Sequence, residues 1–186
     1  MDATIYAKLR TYTTQKGAWV GLVWIVSFAC FIAGLARPGF SLICILTGIA
    51  SVFVAGRLVK KFRWQTADIG FGMAWWMSWM MFIYASLLIA AAQYIYFRYM
   101  DNGFVADTYA ALLQQPEVEK ALQNMGNGQN YRELVEQTIL TWRTTSPIEL
   151  TIEFLISNTF LGTLLSIPAA AIGCMGKVAG TNSLKQ

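Results

Sequence analysis

The sequence predicts an all-α fold: an integral membrane bundle of four transmembrane helices with an extracytoplasmic amphipathic helical loop. Hydrophobic residues make up 56% of the 186 residues and charged residues only 13%, whereas soluble domains carry roughly 25% charged residues. Four apolar runs are long enough to cross a hydrocarbon layer of about 30 Å. No long polar block flanks them, so we expect a single membrane domain over residues 1–186. The predicted spans are residues 17–36, 39–58, 71–97 and 147–175, with the loop at 98–146.

The first two spans are predicted to form an antiparallel hairpin, because only a short Arg37-Pro38-Gly39 junction separates them and proline and glycine favour turns. Basic residues then predict the orientation. Nine of the 14 lysines and arginines lie before the first span, after the second span or in the C-terminal tail, and the other five lie on the opposite side. Since cytoplasmic segments are enriched in Lys and Arg, we expect both termini in the cytoplasm and the loop outside.

Aromatic residues mark both ends of the third span. Trp75, Trp76 and Trp79 lie in its first turns, and Tyr94 and Tyr96 lie near its other end. Twenty residues of helix, about 30 Å, separate Trp76 from Tyr96, which matches the distance between the two aromatic belts of a membrane protein. The pattern predicts that these five side chains are interface anchors.

The same stretch is rich in methionine. Met73, Met77 and Met80 recur on one helical face, and Cys174 at the end of the fourth span is a further soft sulfur atom. Such ligands suit Cu(I), but thioethers also pack well beside aromatic rings. The chain has no histidine and no CxxC pair. We therefore expect no metal site and no cofactor.

Catalytic motifs are missing from the sequence. It offers no histidine as a general base, no GxSxG and no Ser/Lys constellation. The basic residues lie beside apolar runs rather than in an aromatic-interleaved patch, which disfavours nucleic-acid binding. We expect a protein that is not an enzyme, has no catalytic residue and binds no nucleic acid.

Small residues repeat every four positions along two spans and predict close helix packing, since lipid offers no hydrophobic drive for helices to associate. Gly17 and Gly21 form a similar pair in the first span. The repeats do not tell whether the contact is within the chain or between chains. The predicted packing residues are Gly162, Ser166 and Ala170 in the fourth span and Gly70, Ala74 and Ser78 in the third.

A polar constellation is predicted where the third and fourth spans approach the loop. Glu149 and Glu153 are spaced i, i+4 with Asn158 deeper, and Gln93 and Arg98 lie at the same level of the third span. Ionisable groups at membrane depth are costly, so Glu153 either meets Arg98 or faces water. The constellation is a helix-tying ion pair or a polar site that opens outward to a proton or a substrate headgroup.

The loop retains apolar residues at helical spacing. Pro116 begins a predicted short helix, and a second, amphipathic helix follows it. The loop carries four basic and six acidic residues, so anionic lipid does not attract it, and protein contact is favoured over the outer leaflet. The predicted partner-contact stripe comprises Tyr131, Leu134, Val135, Ile139 and Trp142.

Residues 68–175 resemble a family of small Bacteroidota inner-membrane proteins, domain of unknown function 4199. The likeness rests on IGFGMAWWMSWMMFIYASLLIAAAQYIYFRYMD, on the helix break QNMGNG and on the proline-led SPIELTIEFLISNTFLGTLLSI. The resemblance implies four helices and a bacterial inner membrane, and it transfers no catalytic residue. Family members are sometimes encoded near polyprenyl-phosphate glycosyltransferases, which implies a link to lipid-linked sugars.

Two functions follow as hypotheses. The first is a non-enzymatic accessory or structural subunit of an inner-membrane complex, in contact with membrane lipids and with a protein partner in the inner membrane or periplasm, or with further copies of itself. The alternative is a small transporter or flippase for a lipid-linked (polyprenyl-phosphate sugar) headgroup at the Glu/Arg constellation. Neither partner nor substrate can be named from the sequence.

Overall fold

A computed structural model describes residues 3–37, 39–65 and 69–175, and all regular structure in these ranges is helical. Four of the helices are long and apolar enough to span a membrane, which confirms the predicted fold class. The other three lie in the loop. The helices are α1 (Ala3–Ala36), α2 (Gly39–Gln65), α3 (Phe71–Tyr99), α4 (Phe104–Leu113), α5 (Pro116–Gln123), α6 (Gly128–Thr144) and α7 (Pro147–Cys174).

Two spanning helices extend beyond their predicted apolar cores. α1 begins at Ala3 rather than at residue 17, because residues 3–16 contain neither proline nor glycine to interrupt it. α2 continues to Gln65 rather than ending at residue 58. Basic side chains in its last turns stabilise the helix by their interaction with the negative end of its dipole. Arg63 in that last turn donates a 3.1 Å hydrogen bond to the carbonyl of Gly173 and ties α2 to α7.

The four long helices form a bundle in which α3 packs against α1 and α7, and α2 packs against the same two helices. Two apolar clusters fill the bundle. The first, around Met77, Met81 and Phe62, lies towards the N-terminal end of α3, and the second, around Trp24 and Phe82, lies further along. Met77 and Met81 are fully buried, so this part of the methionine-rich stretch is core packing.

Glycines allow the closest helix contacts. An added Cβ at Gly17 would lie 2.8 Å from Cβ of Tyr84 on α3, and one at Gly162 would lie 2.9 Å from Cβ of Phe82. These contacts are within the chain. Gly70 differs, because it is the exposed residue before α3 and an added Cβ would meet no atom within 4 Å. Gly70 therefore makes no close helix contact within the chain, whereas Ala74 and Ser78 of the same repeat are buried.

Helices α4, α5 and α6 form a small helical unit with its own core, which we call the cap. Its buried apolar residues are Ala106, Leu113, Leu122 and Ile139. Before α4, the backbone turns through positive φ at Asn102 and Gly103, and the Asp101 carboxylate accepts hydrogen bonds from the N–H groups of Gly103 and Val105. Helix α4 was not predicted, because it is short and too apolar overall to show a clear helical period.

Candidate functional site

A seam of four side-chain hydrogen bonds joins residues 75–93 of α3 to residues 158–166 of α7. Helices in lipid use such bonds as well as close packing to associate. We call this set the α3–α7 seam. Its pairs are Trp75 Nε1 to Ser166 Oγ (2.9 Å), Trp79 Nε1 to Thr163 Oγ1 (3.0 Å), Ser86 Oγ with Thr159 Oγ1 (3.2 Å), and Asn158 Nδ2 to Gln93 Oε1 (3.2 Å).

The seam gives the tryptophan cluster a second role. Trp75 and Trp79 donate their indole N–H groups to hydroxyls of α7, whereas Trp76 contacts the ring of Trp79 and is 41% exposed. Their anchoring at the membrane surface stays a prediction. The hydroxyl acceptors on α7 were not predicted, although the hydroxyl residues at 159, 163 and 166 share one face of the helix and are the signal that could have found them.

The Trp75–Ser166 hydrogen bond should give a measurable coupling energy. We expect a double-mutant cycle of Trp75→Phe and Ser166→Ala to yield about 0.6–1.7 kcal/mol, the range of interhelical hydrogen bonds in membranes. The measurement is unfolding by SDS in mixed micelles. Trp76→Phe with Ser166→Ala is the control cycle, and its coupling should be near zero because Trp76 makes no hydrogen bond to Ser166. Equal coupling in both cycles would contradict the seam.

In the structure, the five residues of the predicted polar constellation do not form one site. Gln93 and Asn158 meet, and Gln93 is only 2% exposed. Glu149 instead forms a capping box with Ser146 at the start of α7, so its carboxylate is engaged in capping the helix. Glu153 and Arg98 are both exposed, and no ion pair joins them in the described part of the chain. The hypothesis of a Glu153–Arg98 ion pair is therefore wrong.

A cleft of about 250 Å³ opens beside the Gln93–Asn158 pair. It is bounded by all four spanning helices. The described contacts between α2 and α7 lie in the second half of α2. Every buried residue of α2 is Ser51 or a later residue, so the first half of α2 stands away from α7. The lining residues are Trp24, Ser27, Phe28, Phe31, Cys44, Gly48, Ile89, Gln93, Phe154, Asn158, Leu161 and Leu165.

Polar groups occur at only a few places in this cleft. Ser27 donates a 3.0 Å hydrogen bond to the carbonyl of Cys44, which joins α1 to α2. The Oε1 atom of Gln93 accepts from Asn158. Within the described ranges, Nε2 of Gln93 and Nε1 of Trp24 donate to no protein atom. The cleft therefore combines an apolar lining with hydrogen-bond donors that a ligand could use.

The predicted partner-contact stripe also divides into two sets. Ile139 is buried in the cap, Val135 packs against the same core, and Trp142 contacts the rings of Tyr109 and Phe154. These three residues therefore do not form a free contact surface. Tyr131 and Leu134 are 57% and 60% exposed. We call these two residues the cap face.

The packing that engages three of the five stripe residues also changes the pKa of a tyrosine. Burial in the cap raises the pKa of Tyr109, and nearby Tyr131 raises it further. Arg143, on the same helix as Trp142, makes a 2.6 Å ion pair with Asp107 of α4. The cap is therefore held by an apolar core, an aromatic pair and a surface ion pair.

The remaining predicted residues are placed as follows. Tyr94 is 36% exposed, and Tyr96 makes an edge contact with Phe28 of α1. In the described part of the chain, no group of three or more His, Cys, Asp or Glu residues is placed to hold a metal ion. Met73 and Cys174 both pack against the first apolar cluster, so both sulfur-bearing side chains contribute to core packing.

The four apolar helices define a multi-pass membrane protein. The chain belongs to the family described as "Protein of unknown function (DUF4199)", whose model matches residues 15–174. The matched region includes the α3–α7 seam, the cleft and the cap. Comparisons with curated proteins and with solved structures find no match.

Proposed function

We propose that the protein is a non-enzymatic accessory or structural subunit of a membrane complex and that the cap face contacts its protein partner. The observation that carries the proposal is the exposure of Tyr131 and Leu134, which lie side by side on α6 at spacing i, i+3. The other apolar residues of the same stripe are engaged inside the cap. An adjacent aromatic and aliphatic side chain offer a protein partner an apolar contact, and tyrosine is enriched among the residues that contribute most to protein interfaces.

Charge favours protein over lipid as the partner of the cap face. Residues 98–146 carry four basic and six acidic side chains, so this segment is not attracted to anionic headgroups. Arg132, next to Tyr131, is already paired with Glu136 at 2.9 Å. A surface with an apolar centre and paired charges at its rim resembles the anatomy of protein interfaces.

We place the protein in a bacterial inner membrane, with both termini in the cytoplasm and the cap in the periplasm. The excess of Lys and Arg in the N-terminal part of α1 and in the last turns of α2 supports this orientation. The resemblance of residues 68–175 to inner-membrane proteins supports the choice of membrane. Under this orientation, the cap face is available to periplasmic proteins and to the extracytoplasmic parts of membrane proteins.

The transporter hypothesis receives less support. It required ionisable groups that converge on one outward-facing site, but Glu149 caps α7. Glu153 and Arg98 are exposed side chains without a mutual ion pair. Of the five residues of the predicted constellation, only the uncharged Gln93 and Asn158 line the cleft.

Leu134→Arg tests the proposed contact. We expect the variant to lose about 30-fold in partner affinity, because an apolar residue central to an interface contributes about 2 kcal/mol or more. The measurement is quantitative mass spectrometry of proteins that remain bound after gentle detergent extraction from native membranes. Trp142→Ala is a poor test, because Trp142 supports the cap from inside.

Gln129→Arg is the matched control, since Gln129 is exposed on the same helix, lies on another face and the change adds the same charge. It should retain the partner that Leu134→Arg loses. Retention of the partner at full ratio by both variants would exclude the cap face as the contact.

A further inference from the structure

The cleft is elongated along the helix axes. Its lining residues on α7 run from Phe154 to Leu165, 11 residues or about 16 Å at the rise of an α-helix. On α1 they run from Trp24 to Phe31, about 10 Å by the same rise. A slot that runs with the spanning helices is parallel to the acyl chains of the surrounding bilayer.

The mouth of the cleft faces the lipid. The first half of α2 contributes no buried residue, and its outward side chains Leu42, Ile45 and Leu46 are 59–67% exposed. Across the gap, Leu161 of α7 is 48% exposed and also lines the cleft. The lipid-facing surfaces of α2 and α7 thus continue into the cleft, so a chain can enter sideways from the bilayer.

The wall of the cleft contributed by α3 carries an unsatisfied donor. Gln93 is 2% exposed, and its Oε1 atom accepts from Asn158. Its Nε2 atom donates to no atom of the described residues. Nε2 is also not fully enclosed by those residues, unlike the unpartnered hydroxyl of Ser78. The amide N–H groups therefore reach the cleft. An unpaired amide in an apolar environment is costly unless a ligand accepts its hydrogen bond.

The level of Gln93 limits the acceptor. It lies six residues before Tyr99 on α3, about 9 Å below the end of the helix, and one turn below Phe97. A charged headgroup would have to leave water to reach this level, which is costly. An uncharged carbonyl at the top of an acyl chain needs no such desolvation of charge.

From these observations we infer that the cleft binds one acyl chain of an ester-linked lipid, with the ester carbonyl accepting a hydrogen bond from Gln93 Nε2. Trp24, which is 5% exposed and also has no hydrogen-bond acceptor among the described residues, offers an aromatic wall to the chain. The inference is independent of the proposed protein partner, since the cleft and the cap face share no residue.

Gly48 offers a way to close the cleft without disturbing the bundle. It lines the cleft, and an added Cβ would meet no atom within 4 Å. Gly48→Phe should therefore fill the space that the acyl chain occupies. Gly72→Phe is the matched control, because Gly72 on α3 is equally open and lies outside the cleft.

The experiment uses the full chain in phosphatidylcholine vesicles that contain a phosphatidylcholine with a photoactivatable group in one acyl chain. Labelled residues are mapped by mass spectrometry, and labelling of the cleft is normalised to labelling of the lipid-facing Ile45. We expect concentrated labelling at Ile89 and Leu165, which line the cleft and are not exposed to bulk lipid. Labelling should fall about tenfold in Gly48→Phe, as for a site weakened by one tenfold step in affinity, and should not change in Gly72→Phe.

A second arm tests the carbonyl. An ether-linked lipid with the same photoactivatable chain should label the wild-type cleft about threefold less, the loss expected for one hydrogen bond in a membrane. In Gln93→Leu the ester and ether lipids should label equally. The inference is overturned if Gly48→Phe labels like the wild type, or if ester and ether lipids label the wild-type cleft to the same extent.

Discussion

Gly56→Leu is expected to lower the free energy of unfolding by about 3 kcal/mol, the upper range for overpacking a close contact. A Cβ at Gly56 would lie 2.7 Å from Cγ2 of Ile172 and 3.0 Å from the carbonyl oxygen of Ala169. The second atom belongs to the backbone, so α2 and α7 must separate to admit a side chain. Separation would also weaken the neighbouring contact of Val59 with Gly173. The measurement is unfolding in mixed micelles by SDS titration.

Gly72→Leu is the control for this experiment. It makes the same substitution in a spanning helix at a position where an added Cβ meets no atom within 4 Å. Its effect should stay within about 0.5 kcal/mol, as for ordinary surface changes. Equal destabilisation by both substitutions would show that glycine at position 56 serves the helix itself and not the α2–α7 contact.

Ile139→Asp is expected to unfold the cap while the four long helices persist. Ile139 is 6% exposed in the core formed by α4, α5 and α6. A carboxylate buried there without a partner costs about 4 kcal/mol. Small helical units supply few contacts and open locally before the rest of the protein does. Limited proteolysis and amide hydrogen exchange over residues 104–144 should therefore increase strongly.

The adjacent Leu140 supplies the control, because its side chain is 63% exposed. Leu140→Asp places the same carboxylate one residue away, where water solvates it. Protection of residues 104–144 should then match that of the wild type. If Ile139→Asp left the cap as protected as Leu140→Asp does, the cap core described above would be incorrect.

The spanning helices were predictable because lipid imposes one simple requirement on the sequence. A helix must satisfy its own backbone hydrogen bonds and present about 20 apolar residues. All four runs meet it, and the family match over residues 15–174 agrees with the predicted resemblance. The helix ends were harder to predict, since α1 and α2 continue into polar sequence that the apolar criterion excludes.

The polar site was less predictable, because spacing along one helix does not specify a partner on another. Glu149 and Glu153 share a face of α7, yet Ser146 stands three residues before Glu149 and forms a capping box with it. This S-x-x-E pattern is a sequence signature of the capping box, so the role of Glu149 could have been predicted. Gln93 and Asn158 do meet, although Asn158 was predicted to lie deeper than the level of Gln93.

The cap shows why an amphipathic stripe alone does not reveal a partner surface. The stripe predicted on α6 was correct as a periodic pattern, but three of its five residues pack inside the protein. Because α4 was not predicted, no packing partner for the buried part of the stripe could be named from the sequence. Only Tyr131 and Leu134 remain exposed from the stripe, and they now define the cap face.

The most direct test of the proposed function is photo-crosslinking from a single position in native membranes. A photoreactive amino acid at position 134 should give one adduct of fixed mass above the 20.7 kDa chain, whether the partner is another protein or a second copy. The same group at position 117, an exposed residue of α5, should give none. No adduct from position 134, or the same diffuse pattern from both positions, would contradict the assignment of the cap face as the partner contact.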